Sequence, residues 1–197
     1  MNKKRGWLRE RVIRVLLNHP DGSLTKYKLS KEAECSFSWT HEFLNKLETL
    51  GMVKGTKIKN YEELFQFWKK VYVGSEKKDY MVKKPLNVLR NTKLKYALTT
   101  YQAENLVQSY LFPSRVDFYI KKDQLNKWHE LLTKGGLVGK GNVRILMSDD
   151  HVFYNSFKKG GLNLVSLPQL IVDLLWEGGV CVEAGEKLIK KVKLHAL

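Results

Sequence analysis

Apolar residues return every three or four positions along the first part of the chain, the spacing of helices with one buried face. Leu8, Val12, Val15 and Leu16 predict a first helix over residues 6–18, with Arg9, Arg11 and Arg14 on its polar face. His19-Pro20-Asp21-Gly22 reads as a turn. Thr25 stands where it would cap a short second helix whose Leu29 and Ala33 face inward. After a turn at Cys35-Ser36-Phe37, Ser36 or Ser38 caps a third helix, and Gly51 supplies its left-handed stop. Thr40, Phe43, Leu44, Leu47 and Leu50 share one face of that helix; Ser38, Trp39, His41, Glu42 and Asn45 lie on or beside the other. Residues 52–61 read as two short strands around Gly55, with Lys54, Lys57 and Lys59 outside. Leu64, Phe65, Trp68 and Val71 define a fourth helix.

Beyond residue 73 the pattern loosens. Residues 74–85 (GSEKKDYMVKKP) are polar and lysine-rich, which predicts a turn or a short connecting strand. A short helix over 86–90, a strand ending at a Thr99-Thr100 turn and a helix over 101–109 follow. Residues 115–122 alternate as a strand, and Asp123 would cap a helix running through Leu132 on a Leu125, Trp128, Leu131 or Leu132 stripe. Residues 134–142 (KGGLVGKGN) read as a glycine-rich loop, 142–149 as a strand and 151–157 as a further strand. Ser166 caps and Pro168 opens a helix that buries Leu170, Leu174 and Leu175, and a last helix covers 182–192. The class is α+β: a winged helix-turn-helix domain over residues 1–75, then a mixed α/β C-terminal domain over 76–197.

Charge sharpens this division. The chain has 35 Lys and Arg against 20 Asp and Glu, a formal net of +15. Residues 1–60 carry 13 against 6, residues 61–100 carry 9 against 4, and residues 101–197 carry 13 against 10. The excess therefore sits in the first half, which favours a polyanionic partner for the N-terminal domain over a general surface bias. Two distant cysteines, Cys35 and Cys181, offer no zinc spacing and are expected as small buried hydrophobes. The basic then apolar start is interrupted by Arg9, Glu10, Arg11 and Arg14, unlike a signal peptide, and no stretch approaches the about 20 apolar residues of a membrane span. A cytoplasmic location and no membrane partner are expected.

The predicted partner is double-stranded DNA. A helix fits the major groove, its exposed polar side chains read base edges, and flanking lysines hold phosphates. Ser36, Ser38, Trp39, His41 and Asn45 are the candidate groove residues; Lys26, Lys28, Lys46, Lys54, Lys57 and Lys59 are the candidate phosphate contacts, with Lys3, Lys4 and Arg5 as an arm. Trp39 fits packing against a neighbouring helix equally well, and Glu42 fits an ion pair with Lys46 one turn on. The competing reading is a protein- or RNA-interaction module, since some winged helices serve only docking.

Catalytic chemistry finds little support. Gly74-Ser75 is followed only by Asp79, and Asp117 stands alone on its strand. Asp149 and Asp150 adjoin, so they would face opposite ways on a strand, whereas a nucleotidyltransferase needs paired carboxylates for metal. KGGLVGKGN lacks the Gly-Lys-Ser/Thr ending of a phosphate loop. The five histidines are scattered. No catalytic residue, metal or cofactor is expected. Asp173, inside an apolar helix, is read as a surface or capping position.

The C-terminal half carries a further pattern: Tyr96-Ala97-Leu98-Thr99 with Ala103, then Ser166, Pro168-Gln169-Leu170 and Asp173-Leu174-Leu175. With the N-terminal pattern it resembles the AbiEi-type antitoxin family of type IV toxin-antitoxin systems, over nearly the whole chain. Thr100 departs from the family, where many members have glycine. The resemblance implies a DNA-binding repressor of its own operon, whose C-terminal domain counters a nucleotidyltransferase-type toxin. Divergent members of such a family serve as transcription factors without a toxin.

Overall fold

The computed structural model describes residues 3–195, and side chains over 5–193. The fold mixes helices and sheet. It forms two compact units, one made of the chain up to Val73 together with the segment from Gly185, the other Gly74–Ala184. The boundary thus falls two residues before the expected one, and the chain returns to the first unit over its last part. Lys193 and Glu62, 3.5 Å apart, pair within that first unit.

In the first unit α1 (Lys3–Asn18) begins three residues earlier than expected. Val12, Ile13, Val15 and Leu16 are fully buried. Arg14, expected on the polar face, is buried too, with its guanidinium 5.4 Å from the centre of the Trp68 ring. Glu10 is also inside, accepting from Trp68 Nε1 and from the Val73 N–H, both at 3.0 Å. α1 is thus apolar around more of its circumference than its sequence suggests, and its buried charges are held by partners from α4 (Tyr61–Val71) and the segment after it. Between them lie α2 (Lys26–Glu32), α3 (Phe37–Thr49), β1 (Val53–Lys54) and β2 (Lys57–Ile58). Thr25 caps α2 by accepting from the Lys28 N–H at 3.2 Å, and Asn60 caps α4 by accepting from the Glu63 N–H at 3.2 Å. Ser36 starts α3 without a side-chain bond; instead Thr40 Oγ1 donates back to the Ser36 carbonyl at 2.9 Å. The inward face of α3 is Thr40, Phe43, Leu44 and Leu47, while Leu50 is 46% exposed. Leu50 lies past the last helical turn, where the chain reverses through Gly51 at φ +73°, so helical spacing no longer sets its direction.

The second unit is built on a seven-stranded mixed sheet. Its strands are β3 (Glu76–Val82), β4 (Tyr96–Thr99), β5 (Val116–Ile120), β6 (Gly136–Val138), β7 (Val143–Met147), β8 (Phe157–Lys159) and β9 (Leu162–Leu164). Their order is β6-β3-β7-β5-β4-β9-β8, with β5–β7 and β4–β9 parallel and the other pairs antiparallel. α5 (Pro85–Asn91), α6 (Thr100–Gln108), α7 (Leu125–Thr133) and α8 (Leu167–Glu177) complete it, and α9 (Val180–His195) continues from it into the first unit. α6 and α8 pack on each other and on β4; α7 packs on β3 and β6.

Several expectations change here. The lysine-rich segment 74–85 is not a connection but contains β3, paired on both sides. Its Asp79 lies opposite Arg144 of β7, and the guanidinium donates to both carboxylate oxygens at 2.8 and 3.0 Å. The glycine-rich loop contains β6. A side chain at Gly141 would collide with the Tyr80 carbonyl, so glycine is what lets the chain run against β3. β5 does not alternate in burial: all five residues are buried. Asp123 lies in a 3₁₀ turn before α7 and does not cap it; Gln124 takes the cap position without a side-chain bond. Residues 151–157 hold a 3₁₀ turn (Asp150–Phe153), and the strand starts only at Phe157.

Candidate nucleic-acid interface

The surface of interest is the outward side of α3 with α2 and the β1–β2 hairpin. Every four residues along α3, positions 37, 41 and 45 return to nearly the same direction. Phe37 and His41 stack with ring centres 6.0 Å apart and planes 13° from parallel. His41 Nε2 lies 3.4 Å from Asn45 Nδ2, and His41 Nδ1 lies 3.3 Å from Lys26 Nζ. Tyr27 leans on Phe37 at 6.3 Å, and Lys31 Nζ lies 5.4 Å above the Tyr27 ring. Tyr27 and Phe37 are 57% and 47% exposed. A continuous ridge of aromatic, imidazole and amide groups therefore stands on the surface, edged by lysines.

Most of the sequence-predicted site residues face solvent here. Ser36, Ser38, His41, Asn45, Lys28 and Lys46 are exposed and Lys26 half-buried. Trp39 is half-buried and stacks on Phe43 at 5.3 Å, and it lines a shallow pocket with Arg9, Glu42, Phe43 and Lys46. That stacking partner lies on its own helix, and Arg9 of α1 is the pocket residue that comes from a neighbouring one. Lys54, Lys57 and Lys59 are exposed on the hairpin. Arg5 is exposed at the start of α1, whereas the side chains of Lys3 and Lys4 lie outside the described residues.

The hairpin is tied to the turn before α2. Thr56 Oγ1 donates to the Leu24 carbonyl at 2.7 Å and the Ile58 N–H donates to the Pro20 carbonyl at 3.1 Å. Gly22, at φ +78°, makes this approach possible, because a Cβ there would sit 2.8 Å from the Lys57 Cβ. The Gly55 N–H at the tip donates to Glu48 Oε1 of α3 at 3.3 Å. Lys57 and the outward face of α3 are thus held in fixed relation by the backbone. Asp21, in the same turn, has its carboxyl held below the usual range by the Ser23 N–H that donates to it.

The chain matches no family model, no curated protein and no solved structure.

Tyr27, Lys31 and Phe37 were missed by the sequence reading. The pattern puts Phe37 in the turn before α3, and it marks the helix of Tyr27 mainly by Leu29 and Ala33. The available signal was the spacing: Phe37 lies four residues before His41, and the buried set on α3 leaves that direction outward.

Inside the second unit lie two clusters of buried polar groups. Asp173 is only 4% exposed, which corrects its reading as a surface or capping position. It accepts from Thr99 Oγ1 at 2.5 Å, Gln169 Nε2 at 2.8 Å and Tyr119 OH at 3.0 Å. Asp117, 1% exposed, accepts from Thr100 Oγ1 at 2.5 Å and from Arg115, whose Nη2 also donates to Glu177 at 2.7 Å. That pairing raises the Arg115 pKa further, and burial pushes the nearby Tyr101 hydroxyl up to about 12. Thr100 has φ +46°, a left-handed conformation unusual for a β-branched residue. The two carboxylates have separate partner sets, and each is filled by structural donors. Among the described residues, no three His, Cys, Asp or Glu side chains gather as a metal site, and no helix is long and apolar enough to cross a membrane. Cys181 is buried and Cys35 half-buried, its Sγ donating to the Ala33 carbonyl at 3.2 Å, and neither is in a disulfide.

Proposed function

We propose that the chain is a DNA-binding transcriptional regulator, its first unit a winged helix-turn-helix with α3 as recognition helix and the β1–β2 hairpin as wing. The observation that carries this is the outward face of α3. Its polar ridge is unburied, linked along its length, and flanked by Lys26, Lys28, Lys31, Lys54, Lys57 and Lys59. A helix of that kind can enter the major groove with lysines left to neutralise phosphate on either side. The excess of positive charge over residues 1–60 supports the same partner.

The fuller reading is an AbiEi-like antitoxin that represses its own operon and counters a nucleotidyltransferase-type toxin through its second unit. Its support is the resemblance of the motifs, together with their position in the fold. Thr99 of the first motif and Gln169 and Asp173 of the second share one hydrogen-bonded cluster, so distant segments carry one structural unit. The chain acts in this reading by binding, without a catalytic centre, metal or cofactor, in the cytoplasm.

A mobility-shift assay on the DNA upstream of the chain's own gene tests the reading. Retarded duplex at low salt, and a preference for that region over unrelated duplex, are expected. No shift with any duplex at low salt overturns it, and a stable complex with RNA or protein alone would favour the docking alternative. Co-expression with a nucleotidyltransferase encoded beside it tests the antitoxin role: growth arrest relieved by the chain is expected, and arrest unchanged by it refutes that part.

A further inference from the structure

We propose that Phe37 reads the C5-methyl group of a thymine in the major groove, giving the regulator a sequence preference at one end of each bound site. The inference rests on the DNA-binding reading above and adds the chemical group that the helix recognises.

An aromatic ring at the first position of α3, 47% exposed, is the apolar element that α3 itself contributes to the ridge. It is held in place. His41 stacks on one side of it and Tyr27 leans against it from α2. His41 is contacted in turn at Nδ1 by Lys26 Nζ, 3.3 Å away. The Asn45 side-chain nitrogen lies 3.4 Å from His41 Nε2, one turn further along the helix. The ridge therefore presents an apolar face at position 37 and a polar carboxamide at position 45.

The occupant follows from what surrounds the ring. Lys26 and Lys31 stand beside it, the one 3.3 Å from His41 Nδ1 and the other 5.4 Å above the Tyr27 ring, and an apolar protein partner would strip water from these charges without compensation. A duplex offers phosphates to the lysines and, on its major-groove edges, one apolar group, the thymine methyl. Asn45 lies about 12 Å along the helix from Phe37 at 1.5 Å per residue. That is about three base pairs at 3.4 Å each, so the methyl contact and the amide contact fall on different base pairs.

The test begins with duplexes selected by the full chain from a random pool. Each thymine of a selected site is replaced in turn by deoxyuridine, which removes only the methyl. Affinity should fall about three- to fivefold at one thymine of the site, the worth of one buried methyl, and stay unchanged at the others. In Phe37→Ala the same uracil penalty disappears, whereas Phe37→Leu keeps part of it; thermal melts of both variants check the fold. A penalty of equal size in Phe37→Ala, or none at any thymine, overturns the proposal while leaving DNA binding intact. A pool from which no duplex is retained overturns both.

Discussion

Polar side chains on the outer face of α3 and those inside the second unit are put to opposite uses. On α3 they stand in solvent, joined by long contacts: 3.3 Å from Lys26 to His41 and 3.4 Å from His41 to Asn45. In the second unit they are buried and joined by short ones, 2.5 Å from Thr99 to Asp173 and 2.5 Å from Thr100 to Asp117. An exposed contact of that length contributes little to stability and can be exchanged for a base edge or a phosphate at small cost. A buried carboxylate with several donors cannot be exchanged, because each donor left behind would be orphaned. The first arrangement suits recognition and the second fixes a fold.

If that contrast holds, the largest effect of any polar substitution belongs to Asp173. Asp173→Ala leaves the Thr99, Tyr119 and Gln169 donors without their acceptor and is expected to cost about 3–5 kcal/mol in urea unfolding. Asp173→Asn should cost less. A loss in Asp173→Ala no greater than that of an exposed lysine change would break the comparison.

Thr100 sharpens it at a smaller scale. Its φ of +46° is a strained conformation for a β-branched residue, of order 1–3 kcal/mol, held by the bond to Asp117. Thr100→Ala loses the bond and keeps the strain, whereas Thr100→Gly loses the bond and relieves the strain. Thermal unfolding should therefore rank alanine below glycine, the reverse of their usual order in helices. Alanine equal to or above glycine would mean that the backbone there is not strained.

The Asp79–Arg144 pair is half-exposed and should matter least. The hydrogen bonds from Arg144 hold the Asp79 carboxyl below its ordinary value of 3.8. Its contribution is therefore complete above that value and is lost as pH falls through the lowered one. Unfolding followed from about pH 5 down to about pH 2 should show a shallower acid loss in Asp79→Asn than in the parent. Identical slopes would contradict the assignment.

The sequence was a good guide where one helix face met one core. Leu64, Phe65, Trp68 and Val71 are spaced for burial on α4 and all are buried, because that pattern depends on neighbours within two turns. It was a poor guide where pairing is distant. Lys77 and Lys78 made β3 look like a connection, yet their strand is internal to the sheet, with both lysines exposed. Asp79 meets Arg144 across 65 positions, a match that no local window contains. Asp173 looked peripheral for the same reason: its donors come from 54 and 74 residues away as well as from its own helix. On the candidate interface, the exposed lysines of the hairpin were legible because strand alternation around Gly55 sets their direction. The aromatic contacts of Phe37 were not, because Tyr27 reaches it from another helix.

The most direct test of DNA recognition by the first unit is binding to duplex DNA across a salt series, for the parent chain and for the Lys57→Ala/Lys59→Ala variant. For the parent, the logarithm of the association constant should fall linearly with the logarithm of salt, at about 0.9 per phosphate contacted. The variant should bind all duplexes more weakly, and its slope should be shallower by about 1.8 if both lysines meet phosphate. No binding at low salt, or a parent and variant with the same affinity and slope, would contradict the account.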